Sequence, residues 1–208
     1  MQWFKVIRIF IVFCIASFSS AGFLPSVIAS EITDGLKATI DGVIKVVKDE
    51  KYKEDKRARR AAMREIIDSK FSYRQMSMRS LAKNWNKRNA KEQSEFINLF
   101  GKLLENSYAS KIETFSDEII NYVDEIIKGK YALVKTEIKR VDGIIHIDYK
   151  LIQENGSWRV FDFIIEGVSM VNNYRSQFTR IIKKESFEAL KKKMTAKIEG
   201  IENVDLES

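Results

Sequence analysis

In this chain a strand runs into a helix with a single glycine as spacer, and that junction limits the fold more than any other feature. Across residues 158–178, WRVFDFIIEGVSMVNNYRSQF, Trp158, Val160, Asp162 and Ile164 alternate with Arg159, Phe161, Phe163 and Ile165. This is the period of a strand, and because both sets are largely apolar it is expected to be covered on both faces. Gly167 permits the turn. Ser169 stands where an N-cap belongs, and Val171, Tyr174, Phe178 and Ile181 follow at helical spacing.

The same reading extends upstream. After Phe115 the apolar period changes to two, and residues 119–127, 131–141, 144–152 and 158–165 read as four strands. Turns at Gly129, Asp142-Gly143 and Asn155-Gly156 join them, and the last two are strong hairpin signals. Strands so closely connected are antiparallel. Before them, Leu36, Ile40, Val43, Ile44 and Val47 share one helical stripe, and a second helix runs through 61–67. Asn89 with Glu92 three residues later gives a capping-box start to the best helix, whose apolar face is Phe96, Leu99, Phe100, Leu103, Leu104 and Tyr108. Helices, then an antiparallel sheet, then helices predict an α+β domain with a helical layer packed on a sheet of four strands or slightly more. No repeat or low-complexity linker divides the chain, so residues 30–208 are expected to form one domain.

Residues 1–29 are expected to be a signal peptide. Lys5 and Arg8 precede an apolar run over 9–18, and Val27-Ile28-Ala29 offers small residues for cleavage. The competing reading is a retained anchor, since 9–30 carries no charge. Cys14 and Pro25, each the only one of its kind, lie in this segment, so the exported chain would have no disulfide and must be held by its core. Loss of Lys5 and Arg8 takes the 36 Lys and Arg to 34 against 29 Asp and Glu, a net +5. Such a charge suits anionic head groups or an acidic partner, while export argues against nucleic acid. The clusters Lys51, Lys53, Lys56, Arg57, Arg59, Arg60 and Lys191, Lys192, Lys193 are read as solvated faces, with Glu54, Asp55 and Glu188 among or beside them.

Chemistry finds little to use. The one histidine, His146, alternates with Asp148 and Lys150 on the wet side of its strand, opposite Ile145, Ile147, Tyr149 and Leu151. With no cysteine beyond the leader, a His/Cys zinc site is excluded. Residues 167–171, GVSMV, lack the closing glycine of a nucleophile elbow, and no histidine follows them. No phosphate-cradling glycine loop is present. Asp162 and Glu166 are read as structural hydrogen-bonding groups at the strand end. Arg175 falls at the edge of an apolar stripe, where a charge is expected to be partnered: by Asp162 or Glu166 as an ion pair, or by the phosphate of a bound ligand.

The runs Trp-x-Val-Phe-Asp (158–162), Ile-Glu-Gly-Val-Ser-Met-Val (165–171) and Asn-Tyr-Arg-Ser-Gln-Phe (173–178) resemble the MlaC family, the toluene-tolerance auxiliary proteins. Phe71, Met76, Leu81, Trp85 and FINLFGKLLENSY at 96–108 are similar to that family's helical half in order and spacing. The chain departs from it at Leu81-Ala82, where the family has Leu-Gly, which bears on the local turn. The resemblance implies an NTF2-like cone with an apolar cavity, and a periplasmic phospholipid carrier without catalytic residues, metal or cofactor. It implies partners as well: an inner-membrane MCE-domain protein of an ABC transporter complex and an outer-membrane lipoprotein-porin complex. The role implied is maintenance of outer-membrane lipid asymmetry.

Composition does not separate a solid core from a ligand pocket. With the resemblance, the expected pocket set is Phe96, Phe100, Leu103, Leu104, Tyr108 and Tyr149, then Phe163, Ile165, Val168 and Met170, and finally Val171, Tyr174, Arg175 and Phe178. Three alternatives stand beside this reading. One is a binding protein for another apolar ligand, a hopanoid or an aromatic solvent; another is an NTF2-like isomerase using Asp162; the third is an adaptor with a filled core.

Overall fold

In the computed structural model, residues 30–115 and 118–200 are described, and the leader expected over 1–29 lies outside them. The order is α1 (Glu31–Lys48), α2 (Lys56–Lys70), α3 (Tyr73–Leu81), a 3-10 segment (Ala82–Lys87) and α4 (Ala90–Glu113). Then come β1 (Ile119–Lys128), β2 (Tyr131–Arg140), β3 (Gly143–Glu154), β4 (Ser157–Ile165) and β5 (Val168–Ser169), followed by α5 (Met170–Lys184) and α6 (Phe187–Glu199). The fold is α+β, six helices on one open antiparallel sheet of order β1-β2-β3-β4-β5.

Local chemistry explains the boundaries. The capping box is present: Asn89 Oδ1 accepts the N–H of Glu92 at 2.9 Å, and Glu92 Oε2 accepts that of Asn89 at 2.9 Å. Ser30 and Asp55 cap α1 and α2, each of which starts five residues before the apolar stretch read for it, at Leu36 and at residue 61. α6 rests on the Ser186 cap and stops at Gly200, whose φ of +68° ends the helix without a Cβ penalty.

At the junction, Glu166 and Gly167 have φ of +48° and +80°, so the chain reverses in two residues and the short strand β5 pairs back on β4 before α5 begins. Ser169 is the N-cap of α5, accepting the N–H of Asn172 at 3.1 Å.

Apolar burial falls into two bodies. Phe96, Phe100 and Phe178 are fully buried between α4, α5 and α6, with ring centroids 5.4–5.9 Å apart. Leu103, Val171, Tyr174 and Leu190 complete this aromatic body. The second is smaller and joins α1 to the sheet through Ile32, Leu36, Val134, Leu151 and Val160. Each such aliphatic or aromatic side chain contributes about 1.5–3 kcal/mol by leaving water.

Candidate functional site

The sheet does not meet α2 and α4 along its whole width. Between them lies a partly open cavity of about 360 Å³, near the lower end of the roughly 300–1,000 Å³ that ligand pockets occupy. Its floor is built from cross-strand neighbours on one face of the sheet: Ile138 opposite Ile145, Ile147 opposite Ile165, and Tyr149 opposite Phe163. A bulge on β4 at Phe161 sets the register that places Phe163 on this face. Thr136, between Val134 and Ile138 on the same face, hides its hydroxyl by donating to the Ile147 carbonyl at 2.7 Å.

The roof is helical. α2 contributes Arg60, Met63, Arg64 and Ile67, the i, i+3, i+4, i+7 stripe of one helix face. α4 contributes Leu104, Glu105, Tyr108, Ala109, Lys111 and Ile112. Tyr108 meets Phe163 edge to face at 5.3 Å, and Phe71 meets the same ring at 6.4 Å, so one phenyl group links roof and floor. The exposed lining residues Arg64, Lys111, Thr114 and Arg140 mark the rim.

Electrostatically the interior is quiet and the rim is charged. Burial pushes the Tyr149 phenol up to about 12 and raises that of Tyr73 further, so both stay neutral at ordinary pH. At the rim, Arg60 Nε donates to Glu113 Oε1 at 3.0 Å, and its fork holds that carboxyl below the usual range against the opposing effect of burial. Arg64 Nε donates to Glu105 Oε2 at 2.7 Å.

Of the residues expected to line a pocket, Leu104, Tyr108, Tyr149, Phe163 and Ile165 are on this wall. Others lie off it. Phe96, Phe100, Leu103, Val171, Tyr174 and Phe178 belong to the aromatic body, because the wide stripe of α4 splits: its 96, 100 and 103 side turns to α5 and α6, its 104 and 108 side to the sheet. Met170 is buried, with its sulfur accepting from the Tyr108 hydroxyl at 2.5 Å. Val168 is half exposed on β5. Arg175 points its side chain to solvent on α5, and the ion pair expected with Asp162 or Glu166 does not form among the described residues. Asp162 is engaged by Ser169, Val171 and Lys150, and Glu166 accepts the N–H of His146.

The α2 stripe escaped the sequence reading because Arg60 sits in a basic cluster that resembles a solvated face. The signal was there in Met63 and Ile67, which share the arginines' face. Asp162, the carboxylate considered for acid-base chemistry, is absent from the lining. His146 is exposed, 3.5 Å from Glu166 and 3.7 Å from Glu137, also away from the cavity. Among the described residues no three His, Cys, Asp or Glu side chains gather in a way that would hold a metal, and no helix is long and apolar enough to cross a membrane.

Known proteins with the same construction give this arrangement its context. The MlaC protein family matches residues 37–196, which span every helix and strand just described apart from the ends of α1 and α6. The chain belongs to the MlaC family. A curated MlaC relative, the intermembrane phospholipid transport system binding protein of Haemophilus influenzae, is 21% identical over 200 residues, covering 93% of this chain and 91% of its own. Among solved structures, a phospholipid-binding protein from Ralstonia solanacearum, in complex with a phospholipid, superposes with a TM-score of 0.76 at 16% identity. It covers 83% of this chain and 99% of its own, so the two share the MlaC fold.

Proposed function

We propose that this chain is a periplasmic carrier of phospholipid, taking acyl chains into the cavity between α2, α4 and the sheet. The observation that carries the reading is the cavity itself: a partly open apolar space floored by Ile145, Ile147, Ile165, Tyr149 and Phe163, on a fold shared with a relative whose structure holds a phospholipid. Physical chemistry supports the need for it. Two acyl chains with about 30 methylenes, at about 0.8 kcal/mol each, cost about 24 kcal/mol to expose to water. An enclosed apolar site removes most of that barrier to crossing an aqueous compartment, and transfer from bilayer to cavity is then nearly neutral. The chain need catalyse no bond change, and direction comes from its partners.

By family, those partners are an inner-membrane MCE-domain protein of an ABC transporter complex and an outer-membrane lipoprotein-porin complex. The role is exchange of lipid between them to keep the outer membrane asymmetric. Mass spectrometry of an organic extract of the purified protein tests the central claim: diacyl phospholipid at a defined stoichiometry is expected. A protein free of lipid, or one carrying only a hopanoid or an aromatic molecule, overturns it.

A further inference from the structure

The cavity lining carries four cations, Arg60, Arg64, Lys111 and Arg140, against one carboxylate, Glu105. An apolar cavity has no use for that excess in its interior, and the charges gather where it meets solvent. Two of them are built alike. Arg60 and Arg64 stand one turn apart on α2, and each is gripped from α4 by a single carboxylate. Glu113 accepts from Arg60 Nε at 3.0 Å and Nη2 at 3.2 Å; Glu105 accepts from Arg64 Nε at 2.7 Å and from its Nη2.

A guanidinium has two edges fit for two-pronged bonding, Nε with Nη2 and Nη1 with Nη2. In both arginines the first edge is taken; Arg60 Nη2 also donates to Ser110 Oγ at 3.3 Å, and Nη1 of each has no protein partner among the described residues. Glu113 is shared, since Arg59 Nη2 also approaches it at 3.5 Å, so local charge stays positive after pairing. Lys111 makes no ion pair among the described residues and lies over the Tyr108 ring at 5.5 Å. Arg140 is held only loosely, 3.7 Å from Glu118 and 3.5 Å from Asp142.

We propose that Arg60 and Arg64 form a phosphate-binding fork at the rim of the cavity, which holds the phosphodiester of a lipid whose acyl chains occupy the interior. The inference rests on the lipid-carrier reading above. Side chains one turn apart on a helix have Cβ atoms about 5–6 Å apart, a separation that one phosphate group can bridge. The planar fork of arginine matches phosphate oxygens as an ammonium does not. Glu105 and Glu113 fix the two guanidiniums before a ligand arrives, which reduces the ordering that binding must impose. Lys111 adds positive field without directing geometry. The head group is thereby recognised through the element common to phospholipids, and a neutral lipid with the same chains is not.

The test compares the full-length exported protein with R60Q/R64Q for three probes: phosphatidylglycerol, diacylglycerol with the same chains, and inorganic phosphate. The expected result is a loss of phosphatidylglycerol affinity of about 10- to 100-fold, the size of two charge-assisted contacts discounted for screening at a solvent-facing rim, with diacylglycerol affinity unchanged. Should the Gln pair fail to fold, R60K/R64K keeps charge toward Glu105 and Glu113 and is expected to show the same selective loss, smaller in size. Equal loss for both lipids assigns the arginines to tethering α2 to α4 and overturns the proposal; so does no loss for either. Inorganic phosphate that binds the wild type and displaces phosphatidylglycerol would move the site from lipid head group to free anion. A wild type that binds neither lipid defeats the carrier reading itself, and the fork with it.

Discussion

The carboxylate of Asp162 on β4 accepts the main-chain N–H of Val171, in the first turn of α5, at 3.0 Å. Its other oxygen takes the Ser169 hydroxyl at 2.6 Å and lies 3.6 Å from Lys150 Nζ. The residue is only 4% exposed, so removing it leaves buried groups without partners. Asp162→Ala is therefore expected to destabilise the fold by about 2–3 kcal/mol, roughly 5–10 °C in Tm for a chain of this size. An unchanged melting curve would refute the capping role.

Ala82 ends α3 with φ +49° and ψ −125°, outside the wells open to a residue with a Cβ. This is the position at which the sequence departs from the resemblance noted above, whose usual pattern has glycine. Ala82→Gly is expected to stabilise the protein by about 1 kcal/mol, the relief of strain exceeding the extra chain entropy that glycine adds to the unfolded state. Chemical denaturation reads the sign, and a lower midpoint contradicts the strain.

Arg175 is exposed while Asp162 is already satisfied, so Arg175→Ala should shift stability by no more than about 0.5 kcal/mol. Lipid retention should not change either. A marked drop in the melting temperature of the lipid-free variant would reinstate a buried ion pair.

Ile147 lines the cavity and Phe100 sits in the aromatic body, which makes them a matched pair for added volume. Ile147→Trp is expected to fold normally and expel lipid, since open space accepts the ring. Phe100→Trp overfills a closed site and should cost about 1–3 kcal/mol. Thermal melts with lipid quantification separate the two. Similar destabilisation by both would mean the cavity collapses to solid core in solution.

Burial raises the phenols of Tyr149, Tyr73 and Tyr122, that of Tyr149 to about 12, against about 10 in the unfolded chain. The folded state favours the neutral form, so its contribution is complete below about pH 10 and is lost as pH rises through the folded values. Alkaline unfolding should accompany late tyrosinate absorbance, and Tyr149→Phe should lose less stability between about pH 10 and pH 12 than the wild type does. Tyrosines that titrate without delay would remove the basis of the expectation.

Asn155-Gly156 and the period-two runs made the sheet readable because backbone requirements are local: φ is +50° and +79° at that pair, which few other dipeptides tolerate. The Asn89 box and Ser169 cap were readable for the same reason. The pocket was not. Phe96 and Phe100 share with Leu104 and Tyr108 the composition and helical period of one stripe, and only the neighbours each meets across space separate packed body from open wall. Arg60 and Arg64 were harder still, since a cation on a cavity rim and one on a solvated helix face leave the same trace in sequence.

The rings of Phe96, Phe100 and Phe178 line no part of the cavity, although Met76 and Leu104 of the same body do, so the centre of the helical packing is complete without a guest. Occupancy and folding are then weakly linked: cargo adds its binding free energy by mass action and is not needed to complete the structure. On the carrier reading proposed above, the empty protein is expected to survive unloading and to be reloaded many times.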